Sequence, residues 1–286
     1  MIMKLSVVVA ALASFAAMTA HAHVSLSSPC GRYQPGSGCP PPPAGQSVDY
    51  DIDSPIGTYE SQDSPLCKHT IPYSHRTVYK AGETIHTEYS VDTSHFGGHC
   101  QYALSYDSGK TWVVIKTVIR DCLKGVPQGG KYTVPVQIPK DAPSGKVTFM
   151  WLWNNAEGNR ELYSNCADIE IKGKDGGKVK GVAPLIANYG HSSFYIPEFP
   201  GANDRDGHEE FAKRKPITIT VKGSGKSQST TKPSPKPTSK PTKTKTVSPK
   251  PTKIVTPKPK STKTTKTVTK VVTRTVTKIV KPTHCS

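Results

Sequence analysis

The chain has 286 residues, with 38 Lys and Arg against 21 Asp and Glu. Seventeen of the basic residues and none of the acidic ones fall in residues 222–286, so the rest of the chain holds 21 of each and is formally neutral. The basic excess belongs to a tail, and it does not argue for a nucleic-acid-binding fold.

Residues 1–22 read as a secretory signal peptide. Lys4 supplies the positive start, Leu5 to Met18 is apolar but for Ser6 and Ser14, and Ala20-x-Ala22 is a small-residue cleavage site. Cleavage after Ala22 makes His23 the first residue. An N-terminal histidine offers its α-amine and its Nδ1, which close a chelate ring on one metal ion. A third nitrogen from a distant histidine would complete a planar set suited to Cu(II). No second apolar run of 18 or more residues follows, which predicts no membrane span. No Asn-x-Ser/Thr sequon occurs.

Of the seven cysteines, Cys30, Cys39, Cys67, Cys100, Cys122 and Cys166 lie in the body and Cys285 at the far end. An even count after a signal peptide predicts three disulfides, with about 15 possible connectivities. Residues 24–71 show little periodicity. The Pro40–Pro43 run, Cys39 and several Gly and Ser there predict a long ordered loop tied down by disulfides.

Strand patterns follow at 77–79, 84–91, 100–106, 112–119, 132–138, 146–153 and 161–171, with 217–221 as a last strand. Gly- and Pro-rich turns separate them, among them Asp107-Ser108-Gly109-Lys110. Many short alternating strands with no helical period predict an all-β, immunoglobulin- or fibronectin-like sandwich with long loops. Residues 185–200 are apolar and aromatic but irregular. The folded unit is expected to span 23–221.

Two further stretches carry chemistry. In Thr93-Ser94-His95-Phe96-Gly97-Gly98-His99-Cys100, two histidines flank a Gly-Gly pair just ahead of a strand. Glycines let backbone approach a metal or a flat surface closely, and loops on rigid sheets commonly carry function. In Gly158-Asn159-Arg160-Glu161-Leu162-Tyr163-Ser164-Asn165-Cys166, the strand period puts the Glu161 carboxylate and the Tyr163 phenol on one face.

Together these stretches resemble the fungal copper-dependent lytic polysaccharide monooxygenases, most closely their chitin-active group. The carriers are His23 at the cleavage point, His95-Phe96-Gly97-Gly98-x-Cys100-Gln101, and Asn159-Arg160-Glu161-x-Tyr163-x-x-Cys166, in the family's order. The resemblance implies copper on a flat face of the sandwich. His23 would supply amine and Nδ1, and His95 the third nitrogen. Tyr163 would stand on the axial side, and Glu161 would bond the oxygen species. His99 stands where related sequences often have a small residue, as a structural partner or behind the ligands. An external donor would reduce Cu(II) to Cu(I), which activates O2 or H2O2 for attack at C1 or C4 of a glycosidic link. The expected substrate is chitin first and cellulose second, and the expected state is a secreted monomer. Two alternatives are a copper-binding protein without catalysis and a carbohydrate- or wall-binding protein. The expected disulfides are Cys30–Cys39, Cys67–Cys166 and Cys100–Cys122.

The tail, 222–286, has the Lys/Thr/Pro composition of a disordered segment. Its charge predicts a tether to anionic wall polymers, and 268–280 has enough β-propensity to form a strand against a partner.

Overall fold

A computed structural model describes residues 23–36, 38–201 and 205–221. The expectations for the leader, the basic tail, its 268–280 segment and Cys285 lie outside these residues.

The described chain is a β-sandwich. Its smaller sheet contains β1 (His23–Ser28), β4 (Thr84–Thr93) and β7 (Thr133–Gln137), in the order β1-β4-β7. The larger sheet runs β11-β10-β6-β5-β8-β9-β2. Its strands are β11 (Pro216–Thr220), β10 (Lys178–Val182), β6 (Val113–Val118), β5 (Gly98–Ser105), β8 (Gly145–Asn155), β9 (Glu161–Lys172) and β2 (Gly57–Thr58). β3 (Thr77–Lys80) pairs parallel with β9, and a single short helix, α1, spans His208–Ala212 among the described residues.

β4 shows why the sequence pattern was readable. Ile85, Thr87, Tyr89 and Val91 are buried, and the residues between them are exposed. Those inward residues meet Tyr102, Phe149, Trp151 and Trp153 of the larger sheet in the main core. β8 and β9 differ, because both of their faces are covered. Met150, Leu152, Leu162 and Cys166 turn away from the sandwich and pack with Ile56 and Tyr189 from the loops. Burying both faces explains the long apolar run of β8.

Two sequence expectations change. Residues 24–71 are not wholly loop, because β1 pairs antiparallel with β4 and buries Val24 and Leu26. Its register shifts twice within six residues, and two serines end it, so no clean alternation survives in the sequence. β10 was also not anticipated. Its Lys-Val-Lys-Gly-Val sequence carries two lysines and a glycine, yet it pairs with both β11 and β6.

All three expected disulfides are present: Cys30–Cys39, Cys67–Cys166 and Cys100–Cys122. Cys67–Cys166 fastens the early loop to β9. Beside it, the Asp168 carboxylate accepts from Arg32 Nε at 2.9 Å, Arg32 Nη2 at 2.7 Å and the Tyr73 amide at 2.7 Å. Arg32 also donates to the carbonyls of His69 and Thr70. One buried carboxylate thus ties three parts of the loop to the sheet. Asp168→Ala would strand a buried guanidinium and should cost about 3–5 kcal/mol, read from urea unfolding. A loss under about 1 kcal/mol would mean the bidentate pair is not what holds the loop.

Candidate functional site

The site begins with the turn between β4 and β5. His95, Phe96, Gly97 and Gly98 have φ of 45°, 58°, 102° and 151°. Two of these residues are not glycine, and each left-handed non-glycine residue costs on the order of 1–3 kcal/mol. Neighbouring backbone holds the turn. Glu157 N donates to His95 O at 3.2 Å, Ala156 N to Gly97 O at 2.9 Å, and Gly98 N to Arg120 O at 3.0 Å.

His95 is 9% exposed, and its Nε2 is buried with no hydrogen-bond partner. Its other ring nitrogen lies against Gly158, where a Cβ would come within 2.8 Å of it. That packing requires glycine at 158. Burial pushes the His95 pKa down, and the Glu161 charge pulls it partly back. The ring is therefore neutral at pH 7, with a lone pair available.

Glu161 and Tyr163 share one face of β9, as the strand period predicts. The Tyr163 hydroxyl donates to Glu161 Oε2 at 2.7 Å, and Asn159 Nδ2 donates to Oε1 at 3.3 Å. Tyr163 packs on Trp153 at 4.7 Å between ring centroids, and His95 lies 6.3 Å from the same indole. Burial and then the Glu161 charge raise the Tyr163 pKa, so the phenol stays protonated.

His23 opens β1 opposite Thr93, two residues before His95. Its ring nitrogen and carboxylate oxygens of Asp51 and Asp53 lie within 4.8 Å of one another. Neither aspartate was singled out from the sequence, since both sit in an aperiodic loop. They place negative charge beside His23, which favours a cation. Phe96 is 66% exposed, and a groove of about 610 Å³ lies beside it, walled by His95, Val126, Pro127, Glu157 and Gly158.

His99 is not part of this set. Its Nε2–H donates to Asp206 O at 2.8 Å, and its Nδ1 accepts the Arg120 amide at 3.1 Å. Both ring nitrogens are used, so neither is open to a metal. The ring stacks on Phe199 at 4.5 Å.

Burial lowers the His99 pKa to about 4; the Asp206 carbonyl and charge oppose this, and the Arg120 and His208 cations add to it. Its folded value lies below the ordinary 6.5, so between pH 6.5 and 4 the unfolded chain takes up a proton that the folded chain refuses. The stability tied to a neutral His99 is complete above the ordinary pKa. It is lost as pH falls through that window, by about 3 kcal/mol in all. His99→Gln does not titrate and should flatten that part of a urea-unfolding series against pH. An unchanged slope would refute the assignment.

A buried, neutral imidazole with an unbonded nitrogen, next to a fixed carboxylate–phenol pair, fits a nitrogen-ligated metal. Comparison with known proteins gives the family. The chain is 37% identical over 177 residues to AA11 family lytic polysaccharide monooxygenase A of Aspergillus fumigatus, covering 61% of this chain and 75% of that protein. It is 32% identical over 131 residues to monooxygenase B of the same species, covering 40% of this chain and 30% of that one. An AA11 monooxygenase of Aspergillus oryzae is 28% identical over 185 residues, covering 57% of this chain and 43% of that protein. The chain belongs to the AA11 family of lytic polysaccharide monooxygenases.

No family model matches the chain. Among solved structures, a cellulose-active polysaccharide monooxygenase from M. thermophila is 18% identical, with a TM-score of 0.36 over 57% of this chain and 78% of that one. A monooxygenase from Kitasatospora papulosa is 14% identical, with a TM-score of 0.28 over 36% and 53%. Overlaps this small add no argument about fold or site.

Proposed function

We propose that the chain, once residues 1–22 are removed, is a secreted, monomeric copper enzyme. It cleaves crystalline polysaccharide oxidatively, chitin ahead of cellulose, by hydroxylation at C1 or C4. The observation that carries this reading is the buried, unbonded Nε2 of His95 beside the Glu161–Tyr163 pair. Family membership supports the reaction class.

In this reading His23 provides its α-amine and Nδ1, and His95 provides Nε2. Copper so held supplies one-electron chemistry toward O2 or H2O2, with an external donor reducing Cu(II) to Cu(I). Tyr163 would stand beside the bound copper as a buried phenol held by Glu161. Glu161 is fixed at both oxygens, by Tyr163 and by Asn159, so it holds or passes a proton at a defined place. Asp51 and Asp53 draw a cation toward His23. The neutral body suits an uncharged polymer, and the 222–286 tail adds a tether to anionic wall polymers.

The test uses protein beginning at His23. Calorimetry should show one tight Cu(II) site, weakened at least about 100-fold in His95→Ala, because one of three nitrogen donors is gone. An extra alanine ahead of His23 should weaken it comparably, because the amine becomes an amide. Mass spectrometry of chitin digests with reductant should show oxidised oligosaccharides. Equal copper affinity with and without the added alanine would overturn the ligand set. Tight copper binding with no oxidised product would leave a copper-binding protein without catalysis.

A further inference from the structure

The described part of residues 185–211, which leaves out 202–204, supports the His95 turn from both sides. On one side it reaches the β8–β9 connection, which carries Glu157 and Gly158. Phe199 N donates to Ala156 O at 2.9 Å, and Glu198 Oε1 accepts from Gly158 N at 2.6 Å. On the other side it reaches Arg120. Asp206 Oδ2 accepts from Arg120 Nη1 at 2.5 Å, Gly201 O accepts from Arg120 Nη2 at 2.5 Å, and the guanidinium lies 5.5 Å over the Phe199 ring.

Arg120 is itself left-handed, with φ of 66°. Its carbonyl accepts the Gly98 amide, and a Cβ on Gly97 would come within 2.8 Å of that oxygen. The Arg120 peptide is therefore a direct wall of the turn that presents His95. Its amide hydrogen goes to the ring of His99. His99 closes the arrangement, because its other nitrogen is bonded to the Asp206 carbonyl, and its ring lies between Phe199 and Phe211 at 4.5 and 4.9 Å. One imidazole thus joins the Arg120 peptide to the Asp206 segment.

We propose that His99 is a positioning residue for His95. By fastening the Arg120 peptide to the Asp206 segment, it holds the left-handed 95–98 turn in the single conformation that leaves His95 Nε2 buried and unbonded. The proposal rests on the reading of His95 as a metal ligand. Its effect on the turn, however, can be measured without metal.

The bond pattern picks the variants. His99→Leu has neither a donor nor an acceptor for these partners. His99→Gln keeps one of each. Val179→Ala, in β10, removes core packing from a strand paired with β11 and β6 and serves as the control for plain destabilisation. In copper-free protein, the His95 ring resonances by NMR should shift and broaden in His99→Leu, return close to wild type in His99→Gln, and stay unchanged in Val179→Ala. In copper-loaded protein, His99→Leu should give a mixed Cu(II) EPR signal and about tenfold weaker binding, a loss His99→Gln repairs.

If His99→Leu does not fold, His99→Asn decides. Its amide sits on a shorter side chain that does not span the Arg120 peptide and the Asp206 carbonyl together, so it should move the same His95 resonances. Wild-type His95 resonances in His99→Leu, or in His99→Asn where that variant decides, overturn the proposal. So does an equal shift in Val179→Ala. If wild-type protein takes up no copper, the ligand reading of His95 falls, while the copper-free resonances still decide what His99 does to the turn.

Discussion

Residues 95–98 turn through four consecutive positive φ angles, and two of the four carry side chains. A chain does not hold such a turn alone, because each non-glycine residue there sits in a sparsely populated backbone region. The turn persists because its carbonyls and amides are taken by Ala156, Glu157 and Arg120, from two other connections. The reward is a histidine with one ring nitrogen buried and unbonded. An unsatisfied buried polar atom is destabilising in ordinary folding terms. Strain and an unmet nitrogen at the same residue are the observations on which the metal-ligand proposal rests.

The rest of the fold supplies the rigidity that this turn needs. β8 and β9 are buried on both faces, by the smaller sheet on one side and by the loops on the other. The loops stay down because Cys67–Cys166 and the Arg32–Asp168 pair fix them to β9. Glu161 begins that same strand. The forces that cover the outer face of the sheet therefore also fix the carboxylate end of the site.

How much of this was legible in the sequence depends on how local its cause is. Strands such as β4 and the shared face of Glu161 and Tyr163 follow from a period of two, which any short window reveals, and β8 from a continuous apolar run. The three motifs around His23, His95 and Glu161 are likewise local, each lying within one short stretch. β1 was lost because its register slips twice in six residues, and β10 because its lysines and glycine hide a strand that its neighbours impose. Asp51 and Asp53 sit in a loop with no period, so nothing marked them as neighbours of His23. His99 could be flagged but not assigned. Its partners, Asp206 and Arg120, lie 107 and 21 residues away, and no local pattern encodes either contact.

Strand register sets where the three motifs stand. His23 stands opposite Thr93, Gly98 opposite Asn155, Trp153 opposite Tyr163, and Thr58 opposite Glu161. Because side chains alternate along a strand, a slip of one residue between β8 and β9 would move both Glu161 and Tyr163 to the other face. It would also turn Ala167 toward the loops in place of Cys166, breaking the Cys67 bridge. The apolar burial of β9 and its disulfide therefore forbid the slip far more strongly than any contact within the site could. The fold's largest energies set the geometry of the 95–98 turn and of the Glu161–Tyr163 pair, and within that frame His95 Nε2 stays buried and unbonded.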